Sequence, residues 1–246
     1  MYERNVCRIC PEKDKGNYKM SSIWEPKDDY NTVDDFIERT HRCITGKDHA
    51  TFSADAAPAM LHEPAVEWIK TQLNNIKEEL GRELDILEVG SGYGRWPVVL
   101  EGFFETYTGV DVTESRVKHA AKHYSKENVS FHHIKPCDWS MDKKYDVVLS
   151  LMVLQHLKMQ DALDTFAEIE NHLKEDGVAV LHEGRIGRIT EAEANDLYLS
   201  DDCPAHMIYK PISLFEGVAP LEWHQEDENK KFPCQFILRR KNETAN

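Results

Sequence analysis

The chain has 246 residues, enough for one large domain or two small ones, and it is 41% hydrophobic, 9% aromatic and 30% charged. That is an ordinary globular composition, which excludes the disordered, collagenous and disulfide-scaffold classes. With 44 acidic against 30 basic side chains the formal charge is −14, a field that repels phosphate backbones and anionic bilayers, so no nucleic acid and no membrane partner is expected.

The first residues, MYERNVCRIC, hold charges at Glu3, Arg4 and Arg8 and lack the apolar stretch of a secretory signal. The longest apolar run, 147–154 with Ser150 inside it, falls far short of the ~20 residues of a membrane span. A cytoplasmic protein is expected, its six cysteines (Cys7, Cys10, Cys43, Cys137, Cys203, Cys234) being reduced thiols. Residues 1–61 are rich in charge and turn formers. Their apolar side chains, among them Ile23, Trp24, Val33 and Phe36, are too sparse for an independent core, so this stretch must lie on the unit formed by residues 62–246.

From Pro64 the apolar positions Val66, Ile69, Leu73, Ile76 and Leu80 step by three and four, which predicts a helix capped by Gly81. Residues 85–89 form a short apolar strand, stopped by Gly90-Ser91-Gly92-Tyr93-Gly94, and a helix re-enters over 95–104 with Pro97 in its first turn. A strand over 107–110 ends at Asp111, Thr113 caps a helix carrying Val117, Ala121 and Tyr124, and 129–134 is a third strand. A buried strand over 145–151, a helix over 159–173 striped by Met159, Ala162, Phe166, Ile169 and Leu173, and a fifth strand over 177–182 continue the alternation. A polar helix over 190–199, a short helix at 212–215 and two strands, 220–224 and 234–240, complete the chain. Alternating strand and helix predicts an α/β, Rossmann-like, doubly wound sheet, mostly parallel, of seven strands, with the terminal pair as an antiparallel hairpin.

A glycine turn between the first strand and its helix lets a ligand approach the backbone, and a helix N-terminus favours negative charge. The dinucleotide fingerprint G-x-G-x-x-G is not met, because Gly94 comes one residue early and Arg95 stands where the last glycine belongs. ILEVGSGYGR, followed by a second strand that ends in the acidic residue of TGVDV, resembles instead the class I S-adenosylmethionine-dependent methyltransferases. The resemblance covers residues 62–185 and, more loosely, the terminal strands. Cys137-Asp138-Trp139 and VVLSLMVLQHL add to it.

The resemblance implies S-adenosylmethionine as cofactor and S-adenosylhomocysteine as product. Asp111, roughly 20 residues beyond the first glycine at a strand's C-terminal end, has two oxygens that can accept both ribose hydroxyls. By the same resemblance Glu88 and the backbone of Gly90, Ser91, Gly92 and Gly94 surround the methionine portion, with Ser150 nearby. Val112 touches the adenine, and Asp138 and Trp139 read its amino edge and ring. An ordinary turn plus a core aromatic is the alternative for Asp138 and Trp139.

No Asn/Asp-Pro-Pro-aromatic turn follows the fourth strand, where nucleic-acid amino-methyltransferases carry one, and Phe232-Pro233-Cys234-Gln235 lies in the wrong strand for cytosine-C5 chemistry. Leu154-Gln155-His156-Leu157 resembles the small-molecule, quinone and natural-product branch, in which the histidine lies near the acceptor. An imidazole there suits a hydroxyl or ammonium acceptor. His182 and Glu183, ending the fifth strand, are further catalytic candidates, and structural roles for all three stay open. The expected reaction is methyl transfer to an oxygen or nitrogen of a small-molecule acceptor, with residues 1–61 as lid and acceptor wall. Two alternatives remain: a catalytically silent cofactor-binding protein on the same fold, and an NAD(P)-dependent oxidoreductase. Cys7-x-x-Cys10, with His41, Cys43 and His49, invites zinc, but no second CxxC follows, so no metal is expected.

Overall fold

The computed structural model describes residues 63–134, 139–194, 208–225 and 234–240. Helix α1 (Glu63–Leu80) buries Val66, Ile69, Leu73 and Ile76, the stripe that the three-and-four spacing predicts. Strand β1 (Asp85–Val89) leads through the glycine turn into α2 (Trp96–Val99). This helix is a single turn, shorter than the 95–104 expected, because Val98 and Val99 are poor helix formers and Gly102 takes φ +88°. Next come β2 (Thr106–Asp111), α3 (Glu114–Tyr124), β3 (Val129–His133) and β4 (Tyr145–Leu151).

A 3₁₀ turn (Leu154–His156) precedes α4 (Met159–Asn171), and β5 (Leu173–Glu183) begins four residues before the expected start. Leu173, the last member of the helical stripe in the sequence, already belongs to the strand. The extra length is an irregular pairing, in which Tyr145 faces Leu173 but Val147 faces Val178. Beyond β5, the two-residue strands β6 (Ile186–Gly187) and β7 (Lys210–Pro211) pair in parallel, a ribbon with no signal in the sequence. The helix expected over 190–199 is seen only in its first turn, residues 191–194. There Thr190 and Glu193 exchange hydrogen bonds as a capping box, and residues 195–199 lie outside the described residues. A 3₁₀ turn (Ile212–Leu214) leads to β8 (Leu221–Gln225) and β9 (Cys234–Arg240).

The seven-stranded sheet runs β3-β2-β1-β4-β5-β9-β8, with β9 antiparallel to both β5 and β8 and every other pair parallel. The expected doubly wound sheet with its antiparallel terminal hairpin is therefore present. One face is covered by α1, α2 and α3 around Ile69, Trp96 and Ala120. The other is covered by α4 and the C-terminal segments, where Phe166, Phe215, Trp223 and Phe236 pack ring against ring. Among the described residues no helix is long and apolar enough to cross a membrane.

At the N-terminal end of the strands, buried Asp146 accepts from Arg82 Nε at 2.7 Å, the Asp85 amide at 2.8 Å and Lys174 Nζ at 2.9 Å. Burial works against its charge, but these bonds outweigh it and hold the carboxyl below its ordinary range. This network ties β1, β4 and β5 together at the end opposite the glycine turn.

Candidate functional site

Strand order reverses between β1 and β4, the switch point outside whose C-terminal ends open α/β sheets bind ligands. Val89 and Ser150 are register partners there. The glycine turn is stitched inward by Ser91 N–H donating to the Val110 carbonyl and Gly94 N–H to the Ser91 carbonyl, both at 2.9 Å. Gly90, Gly92 and Gly94 all take positive φ, which side chains disfavour. Gly90 has a second reason to be glycine, since a Cβ would stand 2.6 Å from the Val153 side chain. The turn after β1 and the turn after β4 are thus in direct contact.

Asp111 is buried at the end of β2, and both its oxygens accept backbone amides: Oδ2 from Gly92 and Oδ1 from Thr113, each at 2.8 Å. Each oxygen keeps a second lone pair, so the carboxylate can still accept from a diol. Half-buried Val112 follows, its carbonyl 3.0 Å from His133 Nε2.

Glu88 is fully buried beneath the turn, where Tyr107 Oη donates to its Oε2 at 2.9 Å. Burial pushes its carboxyl up to about 8, against the opposing pull of Tyr107 and of the Arg95 charge. Such a group takes up a nearby cation readily, because the cation compensates the charge that burial penalises. An acid of this kind, a glycine turn with amides at a switch point, and a carboxylate at the end of β2 fit a ligand with an ammonium group and a ribose.

The acceptor-side candidates are brought together only in part. His156 ends the 3₁₀ turn, its Nε2 3.3 Å from Gln155 Nε2. Consecutive strand residues face opposite ways, so His182 and Glu183 separate. The His182 ring lies 6.3 Å from that of Trp68 on α1. Glu183 is buried on the opposite face, accepting the Ser150 hydroxyl at 2.8 Å. Trp139 is buried in the core and stacked on the His172 ring, centroids 4.9 Å apart. Asp138 lies outside the described residues, as do Cys7, Cys10, His41, Cys43 and His49. Among the described residues no group of three or more His, Cys, Asp or Glu side chains could hold a metal ion.

Four residues that bear on this site escaped sequence reasoning. Tyr107 sits near the start of β2 with nothing to announce its bond to Glu88. Lys210 is a fully buried lysine in an otherwise ordinary segment. Met152 has φ +62°, which only the three-dimensional turn reveals. Gly109 did carry a signal, since a glycine inside a strand marks close approach; a Cβ there would meet Phe131 at 2.6 Å and Ser91 at 2.8 Å.

Residues 86–177 match the family described as a methyltransferase domain. The ubiquinone biosynthesis O-methyltransferase of Rickettsia prowazekii (strain Madrid E) is 29% identical over 123 residues, 48% of this chain and 45% of that protein. The protein of the same name from Rickettsia felis is 28% identical over 145 residues, 54% and 55% of the two chains. The chain thus spans about half the length of the curated relatives it matches. Among solved structures, an S-adenosylmethionine-dependent methyltransferase from Clostridium acetobutylicum superposes with a TM-score of 0.56 at 12% identity, covering 85% of this chain and 99% of that one. Streptomyces venezuelae DesVI does so with the same TM-score and identity, covering 87% and 100%. The solved structures show the fold, and with the methyltransferase-domain match over residues 86–177 the chain is similar to the class I S-adenosylmethionine-dependent methyltransferases.

Proposed function

We propose that this chain transfers the methyl group of S-adenosylmethionine to an oxygen or nitrogen of a small-molecule acceptor and releases S-adenosylhomocysteine. The observation that supports the reading is the contact between the Asp111-anchored glycine turn and the turn after β4, a turn that ends in His156. When bound, the cofactor supplies a methyl already activated on a sulfonium. The chain's part is then to position. Asp111 accepts from the ribose hydroxyls, the glycine-turn amides and Glu88 hold the methionine end, and Val112 and Asp138 form the adenine side, Trp139 being the core aromatic that its stacking on His172 makes it. His156 takes the proton that the acceptor atom loses as its bond to carbon forms.

The name of the Rickettsia relatives, ubiquinone biosynthesis O-methyltransferase, favours an oxygen acceptor of that kind over a nitrogen. In the same reading residues 1–61 are the lid and acceptor wall over the domain of residues 62–246. The formal charge of −14 speaks against nucleic-acid partners, and the lack of a signal-like apolar stretch in the first residues supports a cytoplasmic enzyme.

The test is to titrate the purified chain with S-adenosylmethionine and S-adenosylhomocysteine, then to assay S-adenosylhomocysteine formation on a panel of phenols, catechols and amines. Micromolar binding with turnover on a hydroxyl acceptor is expected. Binding without turnover on any acceptor would identify a silent cofactor-binding protein, and absence of binding would refute the reading.

A further inference from the structure

Glu183 Oε1 accepts not only the Ser150 hydroxyl but also the Val153 and Leu154 amides, each at 3.2 Å. Those amides open the 3₁₀ turn that His156 ends. At the turn's other end the Gln155 carbonyl accepts from the Ile208 amide at 2.9 Å and from Lys210 Nζ at 3.4 Å. Lys210 Nζ also reaches the Ile208 carbonyl, at 3.5 Å, and its backbone amide donates to the Arg185 carbonyl at 2.8 Å. Both charged side chains are fully buried. A carboxylate at the amide end and an ammonium at the carbonyl end match the polarity of the turn's peptide groups.

The turn needs such a grip. Met152, immediately before it, holds φ +62° with its side chain 39% exposed, and backbone of this kind persists only where the surroundings over-determine it. The Met152 amide is tied to the His182 carbonyl at 2.7 Å, and the next two amides end on Glu183. Burial pushes Glu183 up to about 7 and Lys210 down to about 7, with the Glu183 charge favouring the Lys210 ammonium. A buried pair this far from its ordinary state is weak support for stability and is better explained by what it orients.

We infer that Glu183 and Lys210 are positioning residues, a buried pair of opposite charges that grips the turn after β4 from both ends and so aims His156 at the acceptor. This rests on the reading of His156 as the acceptor-side base. It also moves Glu183 from the catalytic group to the group that supports it, since its Oε1 is engaged by Ser150 and by the two amides that open the turn.

The test uses the full chain with Lys210→Met, which keeps the aliphatic stem, and Glu183→Gln, which keeps the shape. Nitrogen-resolved NMR reads amide exchange at Leu154 and His156 and the His156 ring signals, calorimetry reads S-adenosylhomocysteine affinity, and the acceptor assay reads kcat. In Lys210→Met, exchange at those amides is expected to quicken about tenfold and the His156 ring signals to move. Its S-adenosylhomocysteine affinity should stay within about twofold, and kcat should fall by about 10²-fold, the scale of an ångström's misplacement. Should Glu183→Gln fail to fold, Lys210→Met decides alone. Wild-type exchange and wild-type His156 signals in a folded Lys210→Met chain would overturn the inference. A wild-type chain with no turnover on any acceptor would instead overturn the methyl-transfer reading, and the NMR readouts would still decide whether the pair grips the turn.

Discussion

Asp111 Oδ2 accepts the Gly92 amide at 2.8 Å, which fastens the glycine turn after β1 to the acidic end of β2 within the protein itself. The carboxylate is therefore a structural tie, and in the proposed reading it accepts from the ribose as well.

That double duty makes Asp111→Ala a variant with two effects. S-adenosylhomocysteine affinity is expected to fall by about 10²-fold with two charge-assisted bonds lost. Unfolding free energy is expected to drop by about 1–3 kcal/mol, because the Gly92 and Thr113 amides lose their acceptor. Calorimetry and denaturant titration measure the two separately.

Gly90→Ala places a methyl 2.6 Å from Val153 at a φ of +66°. The variant is expected to lose about 2–4 kcal/mol of stability, combining left-handed backbone strain with overpacking. Val153→Ala in the same chain should recover the overpacking part only. A thermodynamic cycle over the four proteins shows whether the two turns touch.

Glu88, pushed up to about 8 by burial, is mostly protonated at pH 7 in the free protein. A cationic ligand beside it favours the carboxylate, so S-adenosylmethionine binding at pH 7 should release close to one proton. Calorimetry in buffers of different ionisation enthalpy measures this, and Glu88→Gln should abolish it. The stability effect has a defined sign. A carboxyl raised on folding binds more protons in the native state, so its contribution is full below about 4.5 and is lost as pH rises toward 8. Glu88→Gln should flatten that decline.

Asp146 lies at the other end of the sheet, with three donors on a buried carboxylate. Asp146→Ala leaves Arg82 paired with Asp176 and Lys174 with Asp85 but takes the acceptor from the Asp85 amide, and it is expected to cost about 1–3 kcal/mol, with cofactor affinity unchanged within error. Because folding lowers this carboxyl, its contribution is present above the ordinary carboxylate range and disappears as pH falls through the lowered value. The stability difference between wild type and Asp146→Ala should accordingly narrow as pH falls through that range.

His156→Ala is expected to lower kcat by roughly 10²- to 10⁴-fold on a hydroxyl acceptor while leaving S-adenosylhomocysteine affinity nearly constant. The rise of kcat/KM with pH through the histidine range should vanish in the variant. Wild-type turnover would make His156 structural and return attention to His182.

Much of the sheet was legible because its elements carry local signals. The stripe of α1, the apolar run of β4 and the glycines after β1 are each written in consecutive residues. The errors fell where local preference is weak. The helix after the glycine turn stopped at Val99, and β5 reached back to Leu173 because pairing with Tyr145 recruits residues that a helical stripe also suits. Of the site, Glu88, Gly90 and Asp111 were readable from a motif whose spacing is short. Tyr107 and Lys210 were not, since nothing in a sequence marks which hydroxyl or amine will meet a buried carboxylate.

By itself, then, the sequence determined the alternation of strand and helix and the place of the cofactor turn, because periodicity and backbone freedom are properties of neighbouring residues. The tertiary structure alone decided what the polar groups do. His182 and Glu183 are adjacent in the chain, yet strand geometry sends one toward Trp68 and buries the other against Ser150 and the turn of His156. The work of a buried carboxylate depends on which amides and cations the fold brings to it, and those come from residues far away in the chain.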